Sequence, residues 1–233
     1  MNNWSAPQRP NAYAEQSLIA AILDDTFPPG STLPGERILA VELGVTRPTL
    51  REAMQRLARD GWVTVRQGKA TVVNNFWQDG GLNVLNALVY HGDHLPANFV
   101  TQLLEVRQDL APAYTKAAVS NAPAEVSAFL DGSQLLKDTA ESFASFDWEL
   151  HRHLTISSGN HIYTLIMNGF SDFYEQLARV YFMSSDARNN SRRFYASLAE
   201  AAVDQDADMA EQVSRAAMVE SIDSWQQINP WKQ

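Results

Sequence analysis

The chain has 233 residues, of which 45% are hydrophobic and 19% are charged. This composition is typical of a globular protein that folds as one large domain or two small ones. Cysteine is absent, which excludes disulfide frameworks, thiolate nucleophiles and thiolate metal sites. Neither a charged-then-apolar leader nor an unbroken apolar run of about 18 residues is found, so we expect a cytoplasmic protein with no membrane partner.

The net charge of −9 is unevenly distributed along the sequence. Residues 30–75 contain seven basic and four acidic side chains, a balance of +3, whereas residues 76–233 contain 10 basic and 20 acidic side chains, a balance of −10. Phosphate groups attract basic surfaces and repel acidic ones. A nucleic-acid contact is therefore expected in the first segment and not in the second.

Residues 1–75 predict a winged helix-turn-helix. After an N-terminal arm (1–11), a helix at 12–25 ends at the Pro-Pro-Gly turn of 28–30. A short helix at 34–44 precedes a second one that begins after the N-cap residue Thr46 and ends at Gly61. Because only Gly-Val-Thr separates these two helices, they predict a helix-turn-helix. The second helix has an apolar face at helical spacing, formed by Leu50, Ala53, Met54, Leu57 and Ala58.

A β-hairpin is predicted directly after the second helix. Residues 62–65 and 70–73 are rich in valine and threonine, and Arg66-Gln67-Gly68-Lys69 separates them. A basic hairpin tip in this position is typical of a wing. Residues 76–81, with two aromatic side chains and then Asp79-Gly80-Gly81, predict a linker.

Residues 82–233 predict a second, all-helical domain because they show helical spacing of apolar residues and no strand alternation. The fold class is therefore mainly α, with an N-terminal winged helix-turn-helix, its small β-hairpin wing, and a C-terminal all-helical effector-binding bundle. The predicted helices of the bundle span 82–91, 97–120, 123–140, 142–157, 161–183, 185–205 and 208–228.

The run from Phe27 to Val73 resembles the winged-helix domain of GntR-type bacterial regulators. Within that family, Phe27-Pro28-Pro29-Gly30 and Asn74-Asn75-Phe76-Trp77 resemble the FadR group, and this similarity continues through most of the chain. The resemblance implies a homodimeric transcription regulator of fatty-acid metabolism that binds a palindromic operator in double-stranded DNA. It further implies no cofactor, an effector that is a long-chain fatty acyl-CoA, and release from DNA when this effector binds. Repression of degradation genes and activation of unsaturated fatty-acid synthesis genes are the implied outcomes.

The helix-turn-helix is expected to contact phosphates or guanine edges in the major groove, and the wing tip to reach the minor groove or backbone. The predicted DNA-binding residues are Arg37, Thr46, Arg47, Thr49, Arg51, Gln67, Gly68 and Lys69.

Two further sets of residues follow from the resemblance to the FadR group. An arginine fork suits phosphate, and hydroxyl groups suit a carbonyl or a phosphate. The implied acyl-CoA-binding residues are Arg107, Tyr181, Glu220, Ser221 and Trp225. The implied interdomain switch consists of Trp62, Phe76 and Trp77.

Asp147 and His151 lead to an alternative function. Four residues apart on one helix, they resemble the D-x-x-x-H element of metal-binding relatives within the GntR family, which would sense a small carboxylate through the metal. Those relatives supply further histidines from later helices, and this sequence has none at the matching places. A hydrogen bond between Asp147 and His151 is the other interpretation of the pair. An enzyme is not expected, because the sequence has neither a glycine-rich phosphate loop nor a G-x-S-x-G element.

Overall fold

The computed structural model describes residues 10–92 and 95–228. Contacts divide the chain into two compact units, Met1–Leu95 and Pro96–Gln233. The domain bounds predicted from the sequence, 1–75 and 82–233 with a linker between them, stay a prediction. Residues 76–79 of that linker form a short helix, and residues 1–9 of the predicted arm lie outside the described residues.

The first unit contains the predicted winged helix-turn-helix. Its helix-turn-helix consists of α2 and α3, and its wing consists of β1 and β2. The elements are α1 Pro10–Leu23, α2 Glu36–Glu42, α3 Arg47–Asp60, β1 Val63–Thr64, β2 Val72–Val73, α4 Phe76–Asp79 and α5 Asn83–Tyr90.

Helix α3 begins and ends as predicted. The Thr46 hydroxyl accepts a hydrogen bond from the backbone N–H of Thr49 (3.3 Å), which satisfies one donor of the first turn. Gly61 ends the helix in the left-handed conformation, with φ +91°. A Cβ atom at this position would lie 2.3 Å from the carbonyl oxygen of Asp79. Both the positive φ and this close approach therefore require glycine. The inward face of α3 is buried, as Leu50 and Leu57 show.

The wing is shorter than predicted. Strands β1 and β2 pair antiparallel over two residues each, with Val63 opposite Val73 and Thr64 opposite Val72. Beyond this pair the chain enters its turn, where the Lys69 N–H donates to the Arg66 carbonyl (3.1 Å). Pairing stops there because residues 65–70 form the exposed tip and have no core to cover.

The second unit contains the predicted helical bundle apart from its first predicted helix (82–91), which is α5 of the first unit. Helix α6 packs against α8 and α12, and α11 packs against α7 and α12. The core between them includes Phe143, Leu150, Leu154 and Leu198, all fully buried. Its elements are α6 Phe99–Asn121, α7 Pro123–Leu130, a 3-10 turn Asp131–Leu135, α8 Ala140–Ser157, α9 His161–Asn168, α10 Ser171–Phe182, α11 Ser185–Val203 and α12 Ala207–Ile228.

Two of the predicted helices were too long. The helix predicted at 123–140 ends at Leu130 and continues only as the 3-10 turn that contains Gly132, before Thr139 caps α8. The helix predicted at 161–183 is divided at Gly169 into α9 and α10. Glycine disfavours a helix interior, and sequence periodicity alone did not reveal either break. No helix in the parts of the chain described here is both long and apolar enough to cross a bilayer.

Candidate effector pocket and nucleic-acid interface

A cavity of about 110 Å³ lies among helices α6, α8, α9, α10 and α12 of the second unit. A single water molecule needs only roughly 10–15 Å³, so the cavity has room for a larger molecule. Its wall is mainly aliphatic and aromatic, with residues such as Leu103, Met167 and Leu177. Four of the five predicted effector residues line it: Arg107, Tyr181, Ser221 and Trp225.

Glu220, the fifth predicted effector residue, lines a smaller cavity that shares Arg107, Tyr181 and Ser221 with the first. Its carboxylate accepts a hydrogen bond from Arg193 (3.0 Å). The structure therefore brings the five residues, which come from α6, α10 and α12, to one place in the bundle. A few polar groups that converge on a mainly apolar cavity are typical of a binding site.

A buried ion pair lies at the polar end of the main cavity. Arg107 donates from Nη2 to Asp147 Oδ2 (2.9 Å), and the Asp147 side chain is only 4% exposed. Tyr174 donates to the same oxygen (2.5 Å), and Tyr195 donates to Oδ1 (3.0 Å). Asp147 on α8 thus joins α6, α10 and α11 through three hydrogen bonds.

His151 extends this network on the other side of Arg107. Its Nε2 contacts Arg107 Nη2, and its Nδ1 lies 2.7 Å from the Tyr114 hydroxyl. Because a guanidinium can only donate, Nε2 must be the unprotonated nitrogen. The ring is therefore neutral, and Nδ1–H donates to the Tyr114 oxygen.

The surroundings of these groups shift their pKa values. Burial lowers the pKa of His151 to about 3, and the charge of Arg107 acts in the same direction. Burial alone would raise the pKa of Asp147, but Arg107, His151 and the two tyrosine hydroxyls outweigh this effect and leave it below its ordinary value. Burial also raises the pKa of Tyr181 to about 12. At neutral pH the network contains one cation, Arg107, and one anion, Asp147.

The hydrogen bond predicted between Asp147 and His151 is not made. The nearest oxygen and nitrogen, Asp147 Oδ1 and His151 Nε2, are 3.9 Å apart. Arg107 interacts with both side chains instead, so the prediction was wrong about the partner. Within residues 10–92 and 95–228, no group of three or more His, Cys, Asp or Glu side chains could hold a metal ion.

Ser221 and Trp225 line the cavity and are also held in place by the protein around them. The Ser221 hydroxyl donates to the Met218 carbonyl (2.7 Å), which leaves its oxygen available as an acceptor. Trp225 is 2% exposed and contributes its ring to the wall. The specific roles of Tyr181, Glu220, Ser221 and Trp225 toward a ligand stay predictions.

Sequence analysis missed Tyr114 and Tyr174, which line the cavity, and Tyr195, which donates to Asp147. One signal was available: Tyr114 follows Arg107 by seven residues, or two helical turns, and so lies on the same face of α6. Asp147 and His151, four residues apart on α8, form the opposing pair. No local pattern marks Tyr174 or Tyr195, because they reach the carboxylate from separate helices.

The predicted DNA-binding residues lie in the first unit, at the start of α2, in α3 and at the wing tip. Arg37 and Arg47 are exposed. Arg51 is also exposed, but its Nε donates to Glu36 (2.7 Å). Thr46 and Thr49 share a hydrogen bond between their hydroxyls (2.8 Å). At the wing tip, Gln67, Gly68 and Lys69 are all exposed, and Gly68 has φ +73°.

The three predicted switch residues also lie in the first unit and form a line of aromatic rings. The rings of Trp62 and Phe76 are 4.8 Å apart, and those of Phe76 and Trp77 are 5.2 Å apart. Trp62 is buried, whereas Trp77 is 53% exposed. Trp77 therefore presents a large apolar surface at the end of this line.

Comparison with known protein families matches both parts of the chain. Residues 11–73 match the model of the gntR family of bacterial regulatory proteins, and residues 74–230 match that of the FadR C-terminal domain. The chain belongs to the FadR group of the GntR family. FadR-group proteins are transcription regulators and not enzymes.

Curated relatives support the same assignment along nearly the whole chain. The fatty acid metabolism regulator protein of Shewanella denitrificans is 43% identical over 222 residues, which cover 94% of this chain and 92% of the relative. That of Shewanella pealeana is 42% identical over 220 residues, with the same coverage. The chain is thus a fatty acid metabolism regulator of the FadR type.

Among solved structures, Lar, which controls the expression of the Listeria monocytogenes agr system, has the same overall fold. It is 17% identical, has a TM-score of 0.60, and the match covers 97% of this chain and 99% of Lar. At this identity the likeness concerns the fold alone. The predicted fold class and the resemblance to the FadR group are both confirmed.

The neutral, buried state of His151 predicts a loss of stability in acid. An unfolded histidine takes up a proton near its ordinary pKa of 6.5, whereas folded His151 does so only near 3. Its contribution is therefore complete above pH 6.5 and is lost as the pH falls toward 3, at about 1.4 kcal/mol per pH unit. Urea unfolding measures the free energy of unfolding at each pH. The difference in this free energy between the wild type and His151→Gln should become smaller from pH 7.5 to pH 5. The variant His161→Gln, which changes an exposed histidine, should follow the wild type. Parallel decline of all three would contradict this prediction.

Proposed function

We propose that this FadR-group regulator is controlled by long-chain fatty acyl-CoA, which binds the helical unit and releases the winged unit from DNA. The observation that supports this most is the cavity in the second unit. It combines a wall of aliphatic and aromatic side chains with one polar end at Arg107. An acyl chain with a single polar group at one end is likewise apolar along its length and polar at that end.

The residues at the polar end suit the head of such a ligand. Arg107 uses Nη2 toward Asp147 and His151, while its Nε is buried and makes no hydrogen bond among the described residues. Ser221 offers an oxygen on the facing helix α12. We assign Arg107, Tyr181, Glu220, Ser221 and Trp225 to acyl-CoA binding on this basis and on the resemblance to the FadR group.

The DNA-contacting surface is assigned to the first unit. It contains the basic segment, and the exposed Arg37, Arg47 and Lys69 do not form ion pairs among the described residues. We propose that the N-terminal part of α3 enters the major groove and that the wing tip contacts the backbone or minor groove. Two copies of the chain would bind a palindromic operator as a homodimer in the cytoplasm.

Regulation requires the effector to bind one conformation better than the other. Nearly complete switching needs roughly 5.5 kcal/mol of differential binding. Burial of an acyl chain contributes about 0.8 kcal/mol per CH₂ group, so a long chain has enough free energy available. We propose that Trp62, Phe76 and Trp77 transmit the change, that degradation genes are repressed, and that unsaturated fatty-acid synthesis genes are activated.

The wing-tip lysine should contribute a charge to DNA binding without reading the base sequence. Lys69→Ala is expected to weaken operator binding and to reduce the slope of log K against log salt by about one for each copy of the chain bound. Fluorescence anisotropy at several salt concentrations measures both quantities. Lys137→Ala, which removes an exposed lysine from the second unit, is the matched control. Equal slopes for the two variants would contradict the assignment of the wing.

Oleoyl-CoA should release the operator, whereas free CoA should not, because only the acyl chain fills the apolar cavity. The measurement is the anisotropy of a labelled palindromic duplex bound to the purified protein at a stated salt concentration, titrated with each compound. Release by neither compound would refute the acyl-CoA proposal. If a small carboxylate plus a divalent metal released the DNA instead, Asp147 and His151 would become the effector site.

Trp77→Ala tests the proposed switch in the same titration. The variant should bind the operator as the wild type does in the absence of effector, and should need more oleoyl-CoA for release. An unchanged response to oleoyl-CoA would remove Trp77 from the mechanism.

A further inference from the structure

The charges within the main cavity sum to zero. Among the described residues that line it, Arg107 is the one cation and Asp147 the one anion. His151 also faces the cavity, but its contact with the guanidinium requires an unprotonated Nε2 and hence a neutral ring. The remaining wall consists of aliphatic, aromatic and hydroxyl side chains.

Both oxygens of the Asp147 carboxylate already accept hydrogen bonds. It accepts from Arg107 and Tyr174 at Oδ2 and from Tyr195 at Oδ1, at distances between 2.5 and 3.0 Å. Arg107 in turn directs Nη2 toward Asp147 and His151. The positive charge of Arg107 is thus compensated inside the protein before any ligand arrives.

Arg107 keeps N–H donors that make no hydrogen bond to the described residues. Its Nε is buried and has no hydrogen-bond partner among residues 10–92 and 95–228. The Tyr114 hydroxyl, which accepts from His151 Nδ1, keeps its own hydrogen for another acceptor. Both groups suit an uncharged acceptor such as a thioester carbonyl.

We infer that Asp147 is a specificity-determining residue that neutralises Arg107 and thereby restricts the cavity to uncharged acyl groups, excluding free carboxylates. A carboxylate near Arg107 would meet a guanidinium whose charge is already compensated, and it would lose its hydration without gaining an unpaired cation. A thioester loses little hydration and can accept the remaining hydrogen bonds. This inference rests on the proposed function, in which the cavity holds the acyl part of an acyl-CoA.

The wild-type protein allows a first test with two ligands of equal chain length. S-Decanoyl-N-acetylcysteamine contains an uncharged thioester, and decanoate contains a carboxylate. Isothermal titration calorimetry at pH 7.5, below the concentration at which either compound aggregates, should show the thioester binding tighter by on the order of tenfold or more. Equal affinity, or tighter binding of decanoate, would overturn the inference without any variant being needed.

Asp147→Asn leaves Arg107 without its counter-ion and should remove most of the preference for the thioester. The affinity for decanoate is expected to rise by on the order of tenfold, because the ligand carboxylate now pairs with the guanidinium. The affinity for the thioester should not rise. Asp109→Asn, which removes an exposed carboxylate from the same helix as Arg107, should keep the wild-type ratio.

The double variant Arg107→Met with Asp147→Asn shows whether the gain in decanoate affinity comes from the charge of Arg107 or from the changed shape of the cavity. It has no cation in the cavity, so the gain for decanoate should disappear. If the gain persists in the double variant, charge compensation is not its cause and the inference fails. Should Asp147→Asn fail to fold, equal affinity of the wild type for the two ligands would still overturn the inference.

These outcomes are independent of the test of the proposed function. If oleoyl-CoA does not release the operator while the thioester still binds tighter than decanoate, acyl-CoA control fails and the selectivity of the cavity stands. If oleoyl-CoA releases the operator while decanoate binds as well as the thioester, control stands and the role assigned to Asp147 fails.

Discussion

The buried ion pair between Arg107 and Asp147 fixes the geometry of the helical unit around its cavity. Two charges held away from water are stable together only when their hydrogen bonds are satisfied, and removing one partner of such a pair costs about 3–5 kcal/mol. Here Tyr174 and Tyr195 supply the additional donors to Asp147, and His151 accepts from Arg107. Helices α6, α8, α10 and α11 are therefore held in one arrangement, and α6, α8 and α10 form the apolar wall of the cavity together with α9 and α12.

Basic and acidic side chains are concentrated in different units of the chain. The winged unit has exposed basic side chains at the start of α2, in α3 and at the wing tip, and the acidic residues are concentrated in the helical unit. An acidic bundle is repelled by phosphate, which leaves DNA contacts to the winged unit. A net charge of −9 is thus compatible with a DNA-binding regulator.

Local signals in the sequence were sufficient for the winged helix-turn-helix. Thr46 and Gly61 act through their immediate neighbours, as an N-cap and a left-handed C-cap, so their effect can be predicted from a few residues. The same holds for the Arg66–Lys69 turn. The breaks at Gly132 and Gly169 were missed because apolar spacing continued through both without interruption, although glycine disfavours a helix interior.

The residues that form the cavity could be predicted only in part. The resemblance to the FadR group supplied Arg107, Tyr181, Glu220, Ser221 and Trp225, and the structure brings them together. It did not supply Tyr174 and Tyr195, and the local i, i+4 spacing of Asp147 and His151 suggested a direct bond that Arg107 replaces. Contacts between distant helices are set by the tertiary fold, and spacing within one helix does not determine them.

The most direct test of this account is a crystal structure with an acyl-CoA whose chain ends in bromine, located by anomalous scattering. The account predicts a bromine peak inside the cavity, against residues such as Phe173 and Leu177, with the Arg107–Asp147 pair intact. A peak outside the helices of the second unit, or a ligand that displaces Asp147 from Arg107, would contradict it.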